Sequence, residues 1–270
     1  MKANTAIGIG AGVGCLLLAV LMEGGSPMSL VSIPAFVIVV GGTGAATFAS
    51  VSFAQATRIP ALYRKAFRGN DFDSHATIRQ LVRLAEKARR DGLLALENEL
   101  EQVGDDFTRK GVQLVVDGTD SDLVRAILTS ELDAMAERHR ANVHVFAAAG
   151  GYAPTLGIIG TVLSLVHVLE NLSSPGTLGH AIASAFIATL YGVGSANLVF
   201  LPVSKKLELL AAEELAHREL QLEGILSIQA GDNPRMLGEK LETFLAPSDR
   251  AAAAAPGARE QADAEMKEAA

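Results

Sequence analysis

Thr161 and Thr189 are the side chains whose type and placement best suit ion chemistry in this chain. Both sit in a long uncharged stretch: between Arg140 and Lys205 there is no Lys or Arg, and Glu170 is the only acid. At about 100° per residue, Thr161 shares a narrow stripe with Gly150, Pro154, Gly157 and Ser164, and Thr189 shares one with Ala181, Ala185, Ala188, Gly192 and Ala196. A hydroxyl on such a face has two uses. It lines a path for protons or for a hard cation such as sodium, or it bonds the carbonyl one turn back, as threonine in membrane helices often does. Neither use supplies charge. An ion path needs a titratable or charged group inside the bilayer, and this chain places acids only at the ends of its apolar runs. If the chain conducts, the carboxylate must come from another polypeptide.

Other chemistry has little to stand on. The six histidines are scattered, no phosphate-binding glycine loop is present, and no paired carboxylates fall in an apolar run, so neither an enzyme nor a cofactor is expected. The single cysteine, Cys15, forms no intramolecular disulfide and no cysteine metal cluster. The net charge of -7 gives no basic field for nucleic acid. His167 lies one turn from Glu170, where a neutral histidine bonded to a neighbour outweighs a proton relay. Asn197, off the small-residue stripe, reads as an interhelical hydrogen-bonding group. Pro154 and Pro202 each leave a carbonyl unpaired and bend a helix, or else mark helix ends.

The elements that must hold these residues follow from how apolar and charged residues alternate. Half of the chain is hydrophobic (49%), the mean hydropathy is +0.29, and the apolar residues are bunched, which reads as integral membrane. From Ala3 to Thr57 there is again no Lys or Arg, and Glu23 is the only acid. That stretch offers spans over Thr5 to Met22 and about Leu30 to Phe53, and the later one offers two more, since roughly 20 apolar residues cross a bilayer as a helix. On the fourth span Ile182, Phe186, Leu190, Val193 and Phe200 lie opposite the small stripe and suit lipid or other apolar neighbours. A signal peptide at the start is the lesser reading, because a second apolar run follows too closely. Lys2, Arg58, Arg64, Lys65, Arg68, Lys205 and Lys206 flank the spans on one side, so both termini and the middle segment are expected in the cytoplasm. The expected fold is an all-α integral membrane protein, with four transmembrane helices in two hairpins and a helical cytoplasmic domain. Its parts are residues 1–53, a first hairpin; 54–142, a cytoplasmic helical domain; 143–202, a second hairpin; 203–246, a cytoplasmic helical extension; and 247–270, a disordered tail.

In the middle segment Asp73 or Ser74 can cap a helix carrying Ile78, Leu81, Val82 and Ala85. Gly92 interrupts it, and Leu93, Leu94, Leu96, Leu100 and Val103 continue an apolar face. After Gly118-Thr119-Asp120 a third helix has no stop signal before Val143, so it is expected to run on into the third span. The fourth span is expected to continue through Leu222, bent at Pro202. Asn233-Pro234 opens a helix reaching about Leu245.

The runs Ala153-Pro154-Thr155-Leu156-Gly157-Ile158-Ile159-Gly160-Thr161-Val162, Asn171-Leu172, Leu178-Gly179, Ala185-Phe186-Ile187-Ala188-Thr189-Leu190-Tyr191-Gly192-Val193 and Ala196-Asn197-Leu198 resemble the MotA branch of the MotA/TolQ/ExbB family. Those proteins are ion-channel stator subunits of the bacterial flagellar motor. Weaker similarity extends to about Leu245, and Ser164 departs from the family's usual glycine. The resemblance implies a multi-pass protein of the bacterial inner membrane, five copies of which surround two helices of a MotB-type, single-span, peptidoglycan-binding partner whose membrane aspartate binds the ion. It further implies that Thr161 and Thr189 line the ion path, and that Pro154 and Pro202 serve torque generation. Within Lys87-Ala88-Arg89-Arg90-Asp91-Gly92-Leu93-Leu94-Ala95-Leu96-Glu97, which resembles the family's rotor-contacting stretch, Arg89, Arg90 and Glu97 would meet the rotor switch protein (FliG-type). Protons are favoured over sodium as the coupling ion. Two other readings are an ExbB/TolQ-type energiser of envelope proteins, whose relatives have three spans, and a non-conducting membrane scaffold.

Overall fold

The computed structural model describes residues 4–170, 175–247 and 250, and among them there is helix, turn and bend but no strand. Lys2, residues 171–174 of the expected outer turn and nearly all of the expected tail beyond Pro247 lie outside the described residues. Among the described residues, four helices are long and apolar enough to cross a bilayer: Asn4–Met22, Ile33–Ser50, Ser121–Glu170 and Ala181–Ala230. The chain forms two units, one of residues 1–70 with 137–211, the other of residues 71–136 with 212–270.

In the first unit, α1 (Asn4–Met22) has no buried residue. Its Gly12 sits against Leu198 of the fourth span. Val13, Leu16, Leu17, Leu18, Leu21 and Met22 are outward-facing, which suits lipid or neighbouring chains rather than water. The second span, α2 (Ile33–Ser50), is shorter than its apolar text implied. Pro27–Leu30 winds instead into a separate 3₁₀ turn capped by Ser26. Ser32 caps α2, and the backbone turns extended at Val51. Ser52 and Gln55 then form a capping box on α3 (Phe53–Ala56). α4 (Ile59–Arg68) falls in this unit, although the apolar text ends before it. Its Ala66 is buried with Val145, Phe146, Val203 and Leu207, and Tyr63 meets Phe146 edge-on at 4.8 Å. Phe200 packs against that cluster, so it is only partly lipid-facing, unlike the exposed Ile182, Phe186 and Val193.

In the second unit, Asp73 caps α5 (Ser74–Asp91) by accepting from the Ala76 amide. The helix stops at Gly92, whose φ of 87° lies in the region that favours glycine. The stretch beyond it is a 3₁₀ helix over Leu93–Gln102. Leu96 and Leu100 are buried there but Leu94 is exposed, so the expected apolar face loses that member. α6 (Asp106–Val116) is capped by Asp105 and buries Phe107, Val112, Val115 and Val116. Sequence reading passed over it, because Thr108 and Gly111 break its apolar stripe, yet both are buried. The core joins these residues to Leu81, Leu128, Leu220, Ile225, Leu237 and Leu241.

Two long helices complete the chain. α7 (Ser121–Glu170) is a single 50-residue helix with Pro154 inside it, continuous from the charged text into the third span. α8 (Pro175–Ser195) is followed by a π-helical turn, Ala196–Phe200, and then by α9 (Leu201–Ala230). The extension thus passes Leu222 and stops at Gly231, where φ is 73°. α10 (Pro234–Glu242) is capped by Asn233, and residues 243–245 form a turn and a bend rather than a last helical turn.

Candidate ion-path site

The two small-residue stripes meet. A Cβ on Gly157 would stand 2.9 Å from the Ala188 carbonyl oxygen and 3.2 Å from the Gly192 Cα. A Cβ on Gly192 would stand 2.5 Å from the Ala153 carbonyl oxygen. Backbone therefore touches backbone, which only glycine permits at these two positions and which is how spans associate where lipid already satisfies apolar surface. Ala153, Ala185, Ala188 and Ala196 are buried along the same seam. Gly160, outside the expected stripe, also packs on Ala188 and on Ile38 of α2.

Thr161 and Thr189 lie on this seam, half-buried, with their hydroxyls hydrogen-bonded to each other. Thr161 also donates toward the carbonyls of Gly157, one turn back, and of Ala185 across the seam, each at 3.0 Å. A hydroxyl has one proton, so these are alternative acceptors, and the pair can change donor and acceptor roles without moving its helices. No acidic side chain occurs in residues 141–169 or 181–204, so the seam carries dipoles and no charge.

A second polar group lies near the seam, one that the sequence reading did not single out. The Tyr191 hydroxyl donates to the Leu30 carbonyl at 2.6 Å and accepts from the Ser32 amide at 3.3 Å, while the Ser32 and Ser184 hydroxyls are 2.8 Å apart. These bonds pin the start of α2 to α8. Only the polarity of Ser184 and Tyr191 amid apolar text hinted at them.

Pro202 lies one residue inside α9, directly after the π turn. Proline has no amide hydrogen and its ring crowds the carbonyl four residues back. The wider turn absorbs this, and the Leu201 amide donates to the Ala196 carbonyl instead. Pro154 lies within α7 on the buried seam side, next to Ala153. Asn197 departs from its expected interhelical bond: its amide donates to the Val193 carbonyl at 2.9 Å, one turn back in its own helix. An exposed side chain there has that carbonyl in easier reach than a neighbouring helix. His167 is outward-facing, its Nδ1 3.9 Å from the Glu170 carboxylate.

Arg89, Arg90 and Glu97 are all exposed on the second unit, the first two at the end of α5 and Glu97 on the 3₁₀ helix. Arg90 pairs with Asp91 at 3.2 Å, and Lys87 pairs with Glu99 beside them. This unit also holds a polar cluster that sequence reading missed. The buried His217 ring stacks on Phe72 at 4.8 Å and lies 3.3 Å from the Ser74 hydroxyl and 3.4 Å from the Gln221 amide. Burial, helped by the adjacent Arg218, holds the His217 imidazole below its ordinary pKa against the pull of Asp105, Glu214 and Asp73. Asp105 pairs with Arg218. Burial pushes its carboxyl up, but the Thr108 amide and the Arg218 guanidinium outweigh that and hold it below the usual carboxylate range.

Four membrane-length helices, with two spans locked through glycine and hydroxyl contacts, define a polytopic helical membrane protein. The chain belongs to the MotA/TolQ/ExbB proton channel family, whose model matches residues 99–220. Motility protein A of Borreliella burgdorferi is 42% identical over 250 residues, covering 93% of this chain and 96% of that protein. Chemotaxis protein PomA of Vibrio alginolyticus is 36% identical over 251 residues, covering 93% and 98%. Among solved structures, the flagellar MotAB stator complex from Bacillus subtilis matches with a TM-score of 0.85 at 35% identity, covering 92% of this chain and 98% of that one. The C. jejuni MotAB structure matches with a TM-score of 0.87 at 27% identity, covering 92% and 97%.

Proposed function

We propose that this chain forms the wall of a flagellar stator channel in the bacterial inner membrane and, with a MotB-type partner, couples proton flow to flagellar rotation. The observation that carries the reading is the Thr161–Thr189 hydroxyl pair on a glycine-packed seam that has no carboxylate of its own. Such a seam relays or solvates an ion but cannot hold one by charge, so the partner's membrane aspartate completes the path. The relatives named motility protein A and the MotAB stator structures support the same assembly.

In this reading the four spans form two hairpins, both termini are cytoplasmic, and the second unit is the cytoplasmic domain that meets the rotor switch protein through Arg89, Arg90 and Glu97. Five copies surround two partner helices. Pro154 and Pro202, the latter beside a π turn, are where the long helices flex as the ring turns. Four membrane-length helices favour a stator over the three-span energisers.

Co-expression of the full chain with a MotB-type partner in a motile bacterium stripped of its own stators tests the reading. Restored swimming that continues without sodium and stops with a protonophore is the expected result. Swimming that requires sodium replaces the ion, and failure to restore torque in an assembled complex overturns the function.

A further inference from the structure

The first unit carries an apolar groove of about 410 Å³ that the ion path does not use. It lies between the second half of α2 and the start of the third span, floored by Phe146, Ala149 and Phe200, with Ile59 and Tyr63 of α4 at one side. Its size is that of a ligand pocket, which runs from roughly 300 to 1,000 Å³. Two features separate it from an ordinary gap between helices. Thr43 and Thr47 line it, 2% and 5% exposed, and neither hydroxyl has a hydrogen-bond partner. Buried hydroxyls are normally satisfied. The second feature is charge: residues 51–70 hold Arg58, Arg64, Lys65 and Arg68 and no acid. Arg58 is exposed and stands between Thr57 and Ile59, both of which line the groove, and the exposed Arg64 follows the lining Tyr63.

We infer that this groove holds a phospholipid with an anionic headgroup. One acyl chain fills the apolar floor, the headgroup phosphate sits against Arg58 and Arg64, and an ester carbonyl accepts from a threonine hydroxyl. Threonine has two accessible χ1 wells in a helix, so Thr43 or Thr47 can turn its donor to the groove. An amphipathic helix with arginines on its outer face is the usual means of holding such lipids at a membrane surface. The leaflet, the cytoplasmic one, rests on the orientation proposed above; the binding itself does not. The basic, acid-free stretch 51–70 beside the groove favours an anionic headgroup as the polar end of its occupant.

Gly44 offers a clean test. It lines the groove, and a Cβ built on it meets nothing within 4 Å, so a larger side chain there occupies the groove without disturbing the fold. The full chain is purified with its partner from bilayers of phosphatidylcholine and phosphatidylglycerol, and the lipid retained is measured by native mass spectrometry. The wild-type protein is expected to retain phosphatidylglycerol over phosphatidylcholine. Gly44→Leu is expected to lose it with helicity and assembly unchanged. Arg58→Gln with Arg64→Gln lowers the anionic preference, by about fivefold per arginine, and Thr43→Val with Thr47→Val weakens retention. A photoreactive residue installed at Gly44 attaches to lipid. Equal retention in Gly44→Leu, no preference between the two lipids, or attachment to another protein chain overturns the inference. Because the readout is bound lipid, its failure in a complex that still restores swimming leaves the stator reading intact.

Discussion

At the residue scale, the seam between the third and fourth spans tolerates no added atom at Gly157 or Gly192. Gly192→Ala puts a methyl within 2.5 Å of a backbone carbonyl, which no rotamer relieves. The helices must separate, at a cost of about 1–3 kcal/mol as for overpacked cores. The check is a lower midpoint in thermal unfolding of the detergent-solubilised complex, with Gly44→Ala, whose Cβ enters open space, as the unchanged control. Thr161→Val and Thr189→Val remove one hydroxyl each from a bonded pair. A single neutral hydrogen bond is worth about 1 kcal/mol, so ion flux through an unplugged complex should fall by about fivefold or more while assembly persists. Flux unchanged in both variants would mean that the hydroxyls serve packing alone.

His217 and Asp105 set the acid response of the second unit, and both shifts point the same way. The folded-state pKa of each is below its ordinary value. Each therefore adds stability that is full above its unfolded pKa and is lost as pH falls through the folded one. For His217 the loss begins below about 6.5, and for Asp105 below about 4. Protection factors of the α6 amides, which normalise out the slower intrinsic exchange in acid, should fall as pH drops from 7 through the histidine window. His217→Gln, which keeps hydrogen-bonding capacity but takes no proton, should remove that early loss and leave the later one. An unchanged early loss in this variant would assign it elsewhere.

At the element scale, the regularity of a helix and its use diverge. The third span and the charged helix before it form one uninterrupted helix, α7, as its text implied. The fourth span instead carries a π turn between α8 and α9 within one continuous helix, Ala181–Ala230. Pro202 shows why. Its missing amide can be met by a bend or by a wider turn, and the sequence does not distinguish them. The end of α5 and the following 3₁₀ helix offer Arg89, Arg90 and Glu97 to solvent, with Arg90 paired to its neighbour Asp91. Exposed charges act through encounter and orientation more than through affinity. Reversing Arg89 and Glu97 together should therefore cut torque in a bead assay on tethered cells severalfold, with membrane assembly and ion leak unaffected. A parallel loss of assembly would show that these charges serve folding.

At the scale of the whole molecule, a wall without a carboxylate should not conduct. The chain purified alone into liposomes is expected to be electrically silent, and gradient-driven current from that preparation would contradict the proposed division of labour. Much of this was legible in the amino-acid order. Four apolar runs, their small-residue stripes, the caps at Asp73 and Asn233, the stop at Gly92 and the absence of membrane acids are properties of neighbours a few residues apart, where period and charge act directly. Tertiary structure alone decided which distant groups meet. Tyr191 reaches Leu30, Thr161 reaches Thr189, Phe72 stacks on His217, and Thr43 and Thr47 line a groove with Phe146. Asn197 turned to its own helix for the same reason, since a polar group takes whichever partner lies closest. Such pairings depend on how faces far apart in the chain are brought together, and no local pattern encodes that.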